Sequence, residues 1–190
     1  MAKLRGKKIN GQVIWITGLS GSGKTTLAKE LLCGLKRNNR NAKSILLDGD
    51  DLRIILDRRD RKSIDYSLDS RLELSMRYCK LCKYLSEQDF TVIVATISMF
   101  RQVYEWNRKN LPRYYEIYLK TPIEELKRRN NKSIYSDFEE GLLSNVAGLD
   151  LPIDEPNEAH MVLNFREGQS TRLLAEKLLI EIADADYSDV

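Results

Sequence analysis

Apolar and polar positions follow two different periods along this chain. Five short runs are almost continuously apolar: "QVIWIT" (12–17), "KSILLD" (43–48), "FTVIVAT" (90–96), "YYEIYL" (114–119) and "HMVLNF" (160–165). They are rich in β-branched and aromatic residues, so they read as strands buried on both faces, where no polar face is required. Between them the apolar positions recur at helical spacing, which predicts helices over about 24–38, 67–88, 99–110, 122–130 and 169–183. Thr121-Pro122 supports the fourth start, because the N–H that proline lacks has no partner at a first helical position. Regular strand–helix alternation implies an α/β fold, a five-stranded parallel sheet covered by helices on both faces in a three-layer sandwich.

Two stretches break the pattern. "DRRDRKSID" (57–65) is polar and crowded with charge, and 130–156 is long, with two prolines and two glycines. Loops of that length inside compact domains usually carry function, so 130–156 reads as a lid. No internal repeat and no linker divides the chain, which gives one domain over 1–190 with a fraying acidic tail at about 184–190.

Composition adds exclusions. A chain of 190 residues can bury a sizeable core. A net charge of +3 is too slight to argue for nucleic acid, and it suits an enzyme with polyanionic substrates. The short, aspartate-interrupted "RRDRK" reads as a solvated loop, with a nucleic-acid-binding ATPase as the competing class. No segment approaches the roughly 20 apolar residues of a membrane span, and the basic N-terminus lacks the apolar stretch of a signal peptide. The expectation is a cytoplasmic protein without membrane or nucleic-acid partners. Cys79 and Cys82 form a C-x-x-C inside a helical pattern, with no second pair and a single histidine, His160. They read as two reduced thiols on a helix without metal.

The chemistry begins at "GLSGSGKTT" (18–26), between the first strand and the first helix. Gly18-x-x-x-x-Gly23-Lys24-Thr25 fits the Walker A pattern. Phosphate needs several backbone N–H groups converging on one point, and glycine permits the backbone angles this demands. Candidate ATP-binding residues are Gly18, Ser20, Gly21, Ser22, Gly23, Lys24, Thr25 and Thr26. Lys24 reaches the β- and γ-phosphates, and the Thr25 hydroxyl can hold Mg²⁺. The flanks make this a P-loop, nucleoside-kinase-like sheet.

"LLDGDDLR" (46–53) closes the second strand at the sheet edge that carries the ligand crevice. Of Asp48 and Asp50, one carboxylate could orient a metal-bound water and the other accept a hydroxyl proton, while Arg53 could grip an anion. The same residues also spell a D-G turn with an aspartate N-cap, which is a purely structural alternative.

With these motifs the chain resembles the adenylylsulfate (APS) kinases, which move the γ-phosphoryl of ATP to the 3′-hydroxyl of APS. The resemblance covers about Gly11 to residue 165. It is carried by "VIWITGLSGSGKTTLA", "DGDDLR", "YSLDSR" (66–71), "ISMFR" (97–101), "KSIYSDFEEG" (132–141) and "VAGLDLPIDEP" (146–156). It implies that Lys24, Asp48 and Asp50 are catalytic, with Thr25 and Asp48 near Mg²⁺. It further implies that Arg53 and Arg71 hold the acceptor's anionic groups, that Ile97 and Ser98 touch the acceptor, that Lys132 in the lid faces phosphate and that Arg129 lies by the ATP base. ATP and Mg²⁺ are the implied cofactors, the partner is a small nucleotide acceptor, and a homodimer is compatible with the resemblance.

The departures cluster in the acceptor half. An expected asparagine is Leu74, the proline of I-S-P is Met99, and of two aromatic rings about the acceptor base one is Tyr66 and the other Val146. About four residues are added between Arg53 and Tyr66. The leading reading is an ATP-dependent kinase for a nucleotide 3′-hydroxyl, with APS slightly ahead. The alternative is a CDP-linked acceptor, as in the cytidine diphosphoramidate kinases of capsule polysaccharide pathways. A nucleotide-binding module without transfer activity is the competing class.

Overall fold

The computed structural model describes residues 11–37, 43–56, 66–130 and 133–185. Five strands form one parallel sheet: β1 (Gln12–Thr17), β2 (Ser44–Asp48), β3 (Thr91–Ala95), β4 (Tyr114–Lys120) and β5 (Met161–Asn164), in the order β2-β3-β1-β4-β5. Every residue of β1 and β3 is buried, which is why those runs lack a polar alternation.

The period of two still decides which core each side chain joins. Ile14 and Ile16 face α1 (Lys24–Arg37) and α7 (Thr171–Ala185), in a core with Leu27, Leu31, Leu178 and Ile182. Val13 and Trp15 face α3 (Leu68–Ser86) and α4 (Arg101–Asn110), among Leu74, Tyr78, Val94 and Val103. Cys79 and Cys82 belong to this second core as free thiols, and burial pushes the Cys79 thiol up to about 12. Helix α1 packs closely on α7 at Gly34, where an added Cβ would lie 2.4 Å from Leu179 Cδ1.

Two helices are absent from the periodicity reading. Helix α2 (Gly49–Leu56) follows β2 directly, and its eight residues, of which Leu52 alone is buried, are too few to establish a helical period. Helix α6 (Ile134–Glu139), after α5 (Ile123–Arg129), interrupts the long stretch read as a loop, and Tyr135 is its one buried residue. The charged 57–65 segment and Lys132 lie outside the described residues. Among the described residues no helix is long and apolar enough to cross a membrane.

β4 carries a polar exception. Glu116 is fully buried and accepts from Arg108 Nη2 at 2.8 Å, while the Glu116 backbone N–H donates to His160 Nδ1 at 3.1 Å. Burial pulls the His160 imidazole below its ordinary value, with Arg108 adding to the shift.

Candidate functional site

The parallel sheet directs the C-terminal ends of β1, β2 and β3 to one edge, and the loops there bound a cleft of about 1260 Å³. Single small-ligand sites run to about 1,000 Å³, so this cleft has room for a donor and an acceptor together.

At one end lies the loop between β1 and α1. Gly18, Gly21 and Gly23 have φ of 149°, 77° and 97°, in the region that favours glycine. Gly18 also sits where a Cβ would come within 2.7 Å of the Leu119 carbonyl. The loop brings Ser20 to Thr26 onto the cleft wall at the start of α1, whose N-terminal end favours anions. Lys24 Nζ donates to the Leu19 carbonyl at 2.8 Å, folded back over the loop it serves.

The end of β2 meets this loop. Thr25 Oγ1 donates to Asp48 Oδ2 at 2.7 Å, and the Asp50 backbone N–H donates to Asp48 Oδ1 at 2.9 Å. Asp48 is thus held between a P-loop hydroxyl and the first turn of α2, and Asp50 stands exposed beside it. The D-G-D turn is structural in form and lies at the phosphate loop as well. Thr25 and Asp48 supply hard oxygen donors on one spot, a set that fits Mg²⁺, which binds through one or two protein oxygens plus phosphates and water. Among the described residues no group of three or more His, Cys, Asp or Glu could hold a metal without such help.

The opposite end gathers Arg53, Tyr66 and Arg71. The Arg53 and Arg71 guanidinium carbons lie 4.8 and 5.3 Å from the Tyr66 ring centroid. Arg71 donates through Nε to the Tyr66 carbonyl at 2.9 Å and through Nη2 to the Asn145 carbonyl at 2.7 Å. Burial, and then the neighbouring Arg53, pulls the Arg71 guanidinium below its ordinary value. Arg53 Nη1 is buried without a hydrogen-bond partner. Two converging cations, one with an unmatched donor, fit an anionic ligand.

The segment read from the sequence as a lid adds residues to the cleft wall, among them Ile134, Asn145 and Val146. Asp150 accepts from the backbone N–H of Asn145 at 2.7 Å and of Val146 at 2.5 Å. Burial opposes ionisation of this carboxyl, but those N–H groups and Arg71 outweigh it and hold the group below its ordinary value. Val146 is buried and lines the cleft, as Tyr66 also does, so one of the two positions expected about the acceptor base is aliphatic. Tyr135 of α6 donates to the Ser20 carbonyl at 2.8 Å, and Arg129 donates to the Gly21 carbonyl at 3.2 Å. The first bond ties α6 to the phosphate loop, and the second ties the end of α5 to it. The Arg129 guanidinium carbon sits 4.5 Å from the Phe165 ring centroid, and both residues line the cleft.

Ile97, Ser98 and Met99 line the cleft as well, and the Thr17 hydroxyl donates to the Ile97 carbonyl. Leu74 packs in the second core, and its neighbour Ser75 lines the cleft. The cleft therefore gathers every candidate residue from the sequence except Gly18, which braces the phosphate loop, and Lys132. Tyr135, Phe165, Ser75, Thr96, Asn145 and Asp150 were missed. Phe165 ends a predicted strand, the position where α/β folds place ligand contacts, and that was the available signal. The lid residues gave no periodic signal at all.

Comparison with known proteins identifies the family. The sequence model of the adenylylsulphate kinase family matches residues 10–164. A cytidine diphosphoramidate kinase of Campylobacter jejuni is 41% identical over 157 residues, covering 83% of this chain and 88% of that protein. An adenylyl-sulfate kinase of Pseudomonas aeruginosa is 34% identical over 160 residues, covering 83% and 79%. The solved APS kinase of Mycobacterium tuberculosis, in complex with AMPPNP and APS, superimposes with a TM-score of 0.80 at 26% identity, covering 92% of this chain and 98% of that one.

Proposed function

The chain belongs to the adenylylsulphate kinase family, and from that premise we propose that it phosphorylates the 3′-hydroxyl of a CDP-linked nucleotide. It is a P-loop kinase that binds ATP, and phosphoryl transfer to a nucleotide hydroxyl fits its relatives. The observation that carries the choice of acceptor is the lining of the cleft, which holds Tyr66 and, where the resemblance leads one to expect a second ring, the buried Val146. Stacking contributes about 1–3 kcal/mol per base on an aromatic face. A purine loses more of that on an aliphatic wall than the smaller cytosine does. The 41% identity to the cytidine diphosphoramidate kinase, against 34% to the adenylyl-sulfate kinase, supports the same choice. APS is the second reading, favoured by the family match over 10–164 and by the intact "DGDDLR" and "YSLDSR" motifs.

In this reading the P-loop N–H groups and Lys24 hold the β- and γ-phosphates. Thr25 and Asp48 would hold Mg²⁺, which neutralises charge on the phosphates when bound. Asp50, exposed on the cleft wall beside Asp48, is the carboxylate assigned to the acceptor hydroxyl. Asp50 takes the 3′-hydroxyl proton as the O3′–Pγ bond forms, and the bond from Pγ to the β–γ bridging oxygen breaks to release ADP. Arg53 and Arg71 hold the acceptor's anionic groups, and the lid excludes water that would otherwise accept the phosphoryl group.

The test is coupled ADP release with cytidine diphosphoramidate and with APS, each over a range of concentrations. The proposal expects kcat/KM in the ordinary enzyme range, above about 10⁴ M⁻¹s⁻¹, for the CDP-linked acceptor and at least about tenfold less for APS. The reverse order would establish the second reading. No ADP release with either would refute transfer to a nucleotide 3′-hydroxyl.

A further inference from the structure

A glycine separates the two aspartates of the D-G-D turn, and the packing around it explains why. The turn starts where β2 pairs with the end of β3, with Asp48 opposite Ala95. A Cβ on Gly49 would lie 3.0 Å from Thr96 Oγ1 and 3.1 Å from the Ala95 carbonyl, so the approach of the turn to β3 leaves no room for a side chain. A glycine directly before a working carboxylate creates a second requirement. It restrains its own backbone less than any other residue does, so the peptide leading into Asp50 has to be held by something else.

That peptide is held on both edges. The Gly49 carbonyl and the Asp50 N–H belong to one planar group. The N–H donates to Asp48 Oδ1 at 2.9 Å, and the carbonyl accepts from the Tyr78 hydroxyl at 3.2 Å. Bonds to opposite edges fix the rotation of the plane, and with it ψ of Gly49 and φ of Asp50, the angles that place the Asp50 side chain. The first bond is local, since Asp48 immediately precedes α2 and caps its first turn. The second comes from α3, 29 positions along the chain. Tyr78 is 3% exposed, its ring belongs to the second core, and it also lines the cleft. Its hydroxyl therefore ties the turn to a part of the molecule that packing already holds rigid.

We propose that Tyr78 is a positioning residue for phosphoryl transfer: by holding the Gly49 carbonyl it fixes the Asp50 carboxylate against the acceptor hydroxyl. The inference rests on the reading that Asp50 takes the acceptor proton. Tyr78 exchanges no proton itself and acts through Asp50. A phenylalanine keeps the ring in the core and removes only the bond, which frees the Gly49–Asp50 peptide to turn.

The test is Tyr78→Phe on the full chain, alone and combined with Asp50→Asn, with Tm confirming the fold. Two quantities are read: steady-state ADP release with whichever of the two acceptors is turned over, and hydrogen exchange of the Asp50 amide by NMR. Tyr78→Phe should lower kcat at least about tenfold and leave KM for ATP and for the acceptor within about twofold. The Asp50 amide should exchange at least about threefold faster while the amides of β1 keep their rates. With Asp50→Asn there is no base left to place, so adding Tyr78→Phe should lower kcat less than about twofold, whereas a merely structural loss would multiply through. A kcat within about twofold of the parent in Tyr78→Phe would overturn the proposal. So would an unchanged exchange rate, or the full tenfold loss on top of Asp50→Asn. Parent-like turnover in Asp50→Asn alone would refute the role of Asp50, and the proposal with it; a crippled Asp50→Asn beside an unimpaired Tyr78→Phe would refute the role of Tyr78 only. Exchange is read without turnover, so an unchanged rate overturns the proposal even in a chain that transfers nothing.

Discussion

Asp48→Asn separates the role of a charge from the role of a shape. Asp48 accepts from Thr25 Oγ1 at 2.7 Å and from the Asp50 N–H at 2.9 Å. An asparagine fills the same volume. Its oxygen can keep the bond from Asp50, and its amide can donate to a Thr25 hydroxyl that has turned to accept. Two bonds to a charged acceptor thus become two neutral ones, at a site only partly shielded from water. The loss to stability is about 1 kcal/mol, or about 2–4 °C in Tm for a chain of this size. The effect on catalysis should be larger. A carboxylate about 4 Å from a unit positive charge interacts by about 4 kcal/mol at an effective dielectric constant of about 20. Losing most of that interaction with Mg²⁺ should lower turnover at least about a hundredfold and raise the Mg²⁺ concentration needed for half-maximal rate. Steady-state ADP release against Mg²⁺ concentration, with Tm from thermal denaturation, reads both effects. Turnover within about threefold of the parent and an unchanged Mg²⁺ dependence would refute the assignment and leave the D-G-D turn a structural feature.

Other outcomes follow from the same geometry. Lys24→Ala should lower turnover at least about a hundredfold with the fold intact, because the transferring phosphoryl loses a fixed positive charge; steady-state ADP release measures it. Tyr135→Phe leaves the Ser20 carbonyl without its donor from the lid. It should lower Tm by a few degrees, at about 1–2 kcal/mol, and raise the rate of ATP hydrolysis without acceptor relative to transfer. His160 is the sole histidine, and its folded pKa lies below the ordinary 6.5. The unfolded chain therefore protonates first as pH falls, so stability is full above about pH 6.5 and declines below it. In His160→Asn the side-chain oxygen can take the place of Nδ1, and chemical denaturation as a function of pH should show that this decline has gone.

The fold was legible because its strands are buried on both faces and its helices carry one apolar face. Both patterns are local, and the predicted strands lie within two residues of β1 to β5 at either end. Helix α2 escaped because it is eight residues long and polar in its first turn, with Asp50 and Arg53 lining the cleft and one leucine buried. The phosphate loop was legible for the opposite reason: Gly18, Gly21, Gly23 and Lys24 fall in one short stretch, so their spacing alone points to phosphate. The acceptor half is assembled from β3, α3 and the lid, whose residues are far apart in the chain. Arg71 meets Asn145 across 74 positions and Ser75 meets Ser98 across 23. Nothing periodic links such residues. Leu74, read as a change in the acceptor pocket, is a core residue, and the polar group on that wall is its neighbour Ser75.

The central claim is that the γ-phosphoryl of ATP passes to the 3′-hydroxyl of a CDP-linked nucleotide. The most direct measurement is ³¹P NMR of the product formed from ATP, Mg²⁺ and cytidine diphosphoramidate. The account predicts one new phosphomonoester resonance coupled to the ribose H3′, appearing in step with ADP and missing with Lys24→Ala. A phosphomonoester coupled to another ribose position, or ADP and inorganic phosphate as the only products, would contradict it.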